Sequence, residues 1–169
     1  MIKDFMEFLA GNDLRSLGKS SDIFSLINDQ NSFDKLFGLL YNNDRATVMK
    51  VVDTIEKITL TKKEYLQKHK LEIIKLCEEV ENIELKWHLA QLLERLKYTN
   101  DEIKIVKKIL AKWILDKKES KIVRVNSIQS LFELEKIYKN KQNNFLEIVN
   151  KIKQENISSI NARIKKLGL

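Results

Sequence analysis

The residues best equipped for chemistry in this chain crowd into one stretch, Lys86-Trp87-His88-Leu89-Ala90-Gln91, with Arg95 one helical turn further on. A histidine can carry a proton. His88, however, has no cysteine or second histidine near it in sequence, so a structural hydrogen bond is its expected role. Trp87 sits beside an apolar stripe, where an indole ordinarily packs into the core or between repeats. His69, followed by Lys70, is expected at the surface or as a cap between helices. Arg124, Asn126 and Gln129 form a second polar set, and Asn161, Arg163 and Lys165 a third. Two rows across these sets keep one register: His88, Asn126 and Arg163 are spaced by 38 and 37 residues, and so are Lys86, Arg124 and Asn161. The rest of the chain offers no glycine-rich phosphate loop, nucleophile elbow or metal-ligand spacing. With 1 cysteine and 2 histidines the usual zinc ligands are lacking, and neither metal nor cofactor is expected.

The elements that must position these residues are helices. Proline is absent and glycine numbers 4, too few turn residues for a sandwich or barrel. Val48-Met49, Leu85-Lys86, Val123-Arg124 and Ile160-Asn161 recur at 37, 38 and 37 residues, and each opens a helix. One turn on stand Val52, Leu89, Ser127 and Ile164; the next turn gives Ile55, Leu92, Ser130 beside Leu131, and Leu167. The apolar stripe thus lapses partly in its third copy. A preceding helix in each unit carries Leu36, Ile73, Leu110 and Ile148, so the repeat is helix, turn, helix. Within these segments the spacing is helical, as in Ile103, Val106, Ile109, Leu110, Trp113 and Ile114, with Lys104, Lys107, Lys108 and Lys112 opposite. Capping and turn residues fall between: Asn42-Asn43-Asp44, Thr99-Asn100-Asp101, Asp116 to Ser120, and Asn140 to Asn144. Thr99 and Glu102 have the spacing of a capping box. Gly38, inside an apolar helix, is expected where helices pack closely.

A lone hairpin cannot bury its apolar faces, so neighbours must stack. The expected fold is all-α, an αα-superhelix or right-handed solenoid of about four hairpins. Residues 1–20 form a capping helix near Ile2–Leu9 and an irregular linker bracketed by Gly11 and Gly18, with a further capping segment near Asp22–Ile27; residues 21–169 form one repeat domain. Residues 1–96 carry 14 Lys+Arg against 16 Asp+Glu, a balance of −2, whereas residues 97–169 carry 17 against 8, a balance of +9. Such asymmetry can mark a nucleic-acid surface or simply solvated helix faces. Lone Cys77 fits a reducing cytoplasm. Asp4 and Glu7 interrupt any signal-peptide apolar region, and no apolar run reaches the roughly 18 residues of a membrane span.

The turn acid followed by a branched aliphatic and a basic residue, best seen in Asp116 with Val123-Arg124 and next in Leu85-Lys86, resembles the HEAT repeat over roughly residues 22–169. Val48-Met49 and Ile160-Asn161 lack the basic residue. The segments Gly11 to Gly18, His69-Lys70, Lys86 to Gln91, Arg95 and Ile122 to Leu131 are similar to short bacterial HEAT-repeat proteins without an assigned activity. The resemblance implies a concave face lined by second helices, presenting Lys86, Trp87, His88, Gln91, Arg95, Arg124, Asn126, Gln129, Arg163 and Lys165 to a protein or peptide partner. It also implies a structural alternative for Lys86 and Arg124, bonding turn carboxylates between repeats. HEAT-like DNA alkylation-repair glycosylases are a more distant likeness: Trp87, Gln91 and Arg124 approximate their spacing, but glutamine stands where their catalytic acid belongs and cannot stabilise a cationic transition state. The expectation is therefore a non-enzymatic cytoplasmic scaffold for a protein or peptide. The alternative is nucleic-acid binding through residues 97–169.

Overall fold

Side-chain caps decide where the helices begin. In the computed structural model, which describes residues 26–139 and 144–169, Asp29 accepts the Ser32 backbone N–H at 2.7 Å and Ser32 reciprocates, fixing the start of α1 (Gln30–Gly38). Asp44 caps α2 (Arg45–Ile58) through the Thr47 N–H at 2.8 Å. The short 3-10 segments Leu39–Tyr41 and Lys63–His69 follow α1 and α2 respectively. The chain divides into two compact units, residues 1–69 and 70–169, and no strand occurs among the described residues. The expected N-terminal helix near Ile2–Leu9 and the Gly11–Gly18 linker lie outside the described residues.

In the first unit α1 and α2 form a hairpin around Phe33, Leu36, Phe37, Val51, Val52 and Ile55, all buried. Two expectations change here. His69 is not at the surface: it is buried, its ring stacks on Phe37 with centroids 3.9 Å apart, and its Nε2 lies 2.8 Å from Asp34 Oδ1. Burial alone would raise the Asp34 carboxyl, but hydrogen bonds from Gln30, Lys68 and His69 outweigh it and hold the group at about 2. Gly38 is not a close-packing site, since a Cβ there would meet nothing within 4 Å. It is the exposed junction where α1 tightens into a 3-10 turn.

The second unit comprises α3 (Lys70–Glu79), α4 (Ile83–Leu93), α5 (Asn100–Leu115), α6 (Lys121–Ile137), α7 (Phe145–Lys153) and α8 (Ser158–Lys166). Each odd helix pairs with its successor; α3, α5 and α7 also contact in sequence, as do α4, α6 and α8. Two layers result, one of first helices and one of second helices. The Thr99–Glu102 capping box forms as expected. Gly168 ends α8 at φ 74°, with the Leu169 N–H reaching the Ile164 carbonyl, a closure that favours glycine's left-handed conformation.

The repeat register is the register of burial. Val48, Leu85, Val123 and Ile160 are all buried near the starts of α2, α4, α6 and α8, as are Val52, Leu89, Ser127 and Ile164 a turn later. In the first helices Leu36, Ile73 and Leu110 are buried, but in α7 Ile148 is half-exposed and Val149 and Ile152 take the core positions. The lapse at Ser127 and Ser130 is a seam of small side chains: both are 0% exposed, and Ser130 Oγ donates to the Ala90 carbonyl of α4 at 2.6 Å. A leucine at Ser130 would occupy the space that brings that carbonyl within hydrogen-bond reach.

Candidate functional site

The basic residue near the start of a second helix reaches forward to the turn of the following hairpin. Asn82 caps α4 through the Leu85 N–H at 3.0 Å, which fixes the first turn and with it Lys86. Lys86 Nζ lies 2.6 Å from Glu119 Oε2 in the α5–α6 turn, the side chains being 16% and 6% exposed. Arg124 repeats the arrangement from α6. Its Nη1 and Nη2 donate to both oxygens of Glu155 at 2.8 and 2.9 Å, and its Nε donates to the Ile114 carbonyl at 2.8 Å. At 1% exposed it is the largest fully buried side chain among the described residues. The guanidinium beside Glu155 holds that carboxyl below its ordinary range. Asn161 occupies the same register in α8 and bonds Asn156 in its own preceding turn at 3.2 Å.

Three residues expected on a partner-binding face therefore serve the fold. Arg124 and Lys86 are committed to carboxylates, because a cation beside a core must be paired. His88 is buried beneath Trp87, the rings stacking with centroids 3.5 Å apart. Asn126 donates to the carbonyl of Ile122 in its own helix at 3.0 Å. In the row His88, Asn126, Arg163, the side-chain amide of Asn126 thus turns to its own helix and Arg163 donates to Gln129.

Other expected residues do come together on the second helices. Arg163 Nη1 of α8 donates to Gln129 Oε1 of α6 at 2.7 Å, and Gln129 Nε2 donates to Glu133 Oε1 at 3.0 Å. Glu94, at the end of α4, lies in the fields of Arg95, Glu133 and Arg163. Burial raises its carboxyl above the ordinary range; Arg95 and Arg163 oppose the rise and Glu133 adds to it. Glu94 Oε2 is buried without a hydrogen-bond partner among the described residues. Gln91 and Arg95 are half-exposed on the same helix end, and Lys165 is exposed in the last turn of α8. Sequence reasoning passes over Glu94 and Glu133. Their signals were slight: Glu133 follows Gln129 by one turn, and Glu94 adjoins Arg95.

Among the described residues the arrangement offers donors and acceptors, and neither Ser130 nor Cys77 is activated as a nucleophile. Ser130 spends its proton on Ala90, and burial pushes the Cys77 thiol far above its ordinary range. Comparison with family models, curated proteins and solved structures returns no match.

Proposed function

We propose that residues 70–169 act as a non-catalytic HEAT-like superhelical scaffold that binds a protein or peptide segment along the face of α4, α6 and α8. The observation that carries this reading is the polar row running from Arg95 and Glu94 through Glu133 and Gln129 to Arg163, which spans three consecutive second helices. An extended segment presents main-chain N–H and C=O groups in alternation, and a row that combines carboxylate, amide and guanidinium groups suits both. Lys86, Lys107 and Arg124 are engaged by carboxylates, which supports a mixed polar lining over a track for a polyanion. The lone thiol fits a cytoplasmic setting, and no helix among the described residues is long and apolar enough to cross a membrane.

Site-specific photocrosslinking tests the assignment. A crosslinker at Gln91 or Arg163 should give discrete protein adducts in cells, and one at Lys112 of α5 should not give the same adducts. Adducts equally abundant from all three positions would refute the placement.

A further inference from the structure

Between α5 and α7, on the layer of first helices, lies an open groove of about 460 Å³ whose floor is completed by α6. That volume falls within the range of sites that receive a ligand group. Ala111, Leu115, Leu131, Phe145 and Ile148 give it an apolar lining. Lys107 closes part of the wall by bonding Glu135 Oε1 at 2.9 Å and the Tyr138 carbonyl at 2.8 Å, so that these two charges cancel. The remaining charges are Lys108 and Lys151, both exposed, against Glu147. Among the described residues Lys108 makes no ion pair, while Lys151 contributes to the field that lowers Glu155.

We infer that this groove is a second docking site, for an acidic protein segment that inserts bulky apolar side chains between Lys108 and Lys151. The occupant follows from complementarity. Once Lys107 and Glu135 neutralise each other, the rim is cationic, and it lies in the half of the chain whose balance is +9, 17 Lys+Arg against 8 Asp+Glu. The floor, in turn, requires apolar groups. A nucleic acid would satisfy the lysines and leave the aliphatic floor unused, for among the described residues the one ring lining the groove, Phe145, is 4% exposed and offers no face for a base.

The site is distinct from the second-helix face, because its lining comes from α5, the opposite side of α6, and α7. The probe is a fluorescein-labelled peptide of sequence Glu-Glu-Leu-Phe-Glu-Leu-Glu-Glu, titrated against the full chain by anisotropy. Micromolar binding is expected. Replacing its Leu and Phe by Ser should abolish it, and the double variant Lys108→Glu/Lys151→Glu, with folding verified by circular dichroism because Lys151 also lies in the field of Glu155, should weaken it by about tenfold or more. Ala111→Trp, with folding verified by circular dichroism, should block the groove sterically. Undiminished binding of the Ser-substituted peptide would overturn the proposal, as would no binding of the parent peptide. It would be overturned equally by binding that survives both variants. If a single-stranded oligonucleotide bound more tightly than the peptide and lost affinity in the same lysine variant, the surface would instead be a polyanion site. Arg163→Glu should leave the peptide affinity unchanged, which separates this site from the one proposed on the second helices.

Discussion

Replacing Arg124 by methionine keeps most of the side-chain volume and removes three hydrogen bonds, two to Glu155 and one to the Ile114 carbonyl. Losing one member of a buried pair costs about 3–5 kcal/mol, chiefly because the other charge stays buried. The Glu155 side chain retains 14% exposure, and Lys117 and Lys151 lend it some field, so the lower end, about 3 kcal/mol, is expected. Arg124→Met/Glu155→Met removes both charges and should recover most of that loss, leaving about 1 kcal/mol for the Ile114 carbonyl. Urea denaturation followed by tryptophan emission is the assay, since both tryptophans, Trp87 and Trp113, lie in the 70–169 unit. With a slope of about 1–3 kcal/mol/M, the single variant should lower the midpoint by about 1–3 M. The pH dependence supplies a second reading. The folded Glu155 carboxyl lies below its unfolded value of about 4.3, so the pair's stabilisation is present above that pH and is lost as pH falls through the folded value. Arg124→Met should flatten this part of the acid limb. A single variant costing under about 1 kcal/mol, or a double variant as unstable as the single, would refute the buried-pair reasoning.

The two seam serines should respond oppositely to alanine. Ser127→Ala deletes a buried hydroxyl without a partner among the described residues and should stabilise by about 1 kcal/mol, whereas Ser130→Ala loses the bond to Ala90 and should destabilise by a similar amount in the same urea assay. In the first unit, Asp34 is held at about 2, below an unfolded value near 3.9, so its stabilisation is present above pH 4 and disappears toward pH 2. Asp34→Asn should lower the thermal midpoint at neutral pH and remove this acid-dependent loss; an acid limb unchanged by the substitution would contradict the role assigned to the His69–Asp34 contact.

Helical periodicity made the hairpins legible because burial follows a 3.6-residue spacing, and Val48, Leu85, Val123 and Ile160 are buried in step. Lys86 and Arg124 were legible as register positions for the same reason, and their alternative role in binding turn carboxylates is the one the geometry bears. What escaped depended on partners distant in sequence. His69 finds Asp34 35 residues away, and nothing within its own segment announces the contact. Glu94 and Glu133 acquire meaning only when α4 and α6 meet across Ala90 and Ser130, where two serines first look like a weak core. At Ile148 a one-residue shift moved the core position to Val149, a difference smaller than the precision with which periodicity fixes a short helix.

The forward reach of Lys86 to Glu119 and of Arg124 to Glu155 means that the α5–α6 hairpin carries both a cation for its successor and an acid for its predecessor. Such a joint is portable. A hairpin copied together with both groups could be spliced between two existing ones and find its neighbours already matched, so lengthening by duplication would preserve every interior contact of this kind. Conversely, a copy that loses one charge disturbs the hairpin next to it more than its own packing, and the harm would be repaired most readily by a second change in that neighbour.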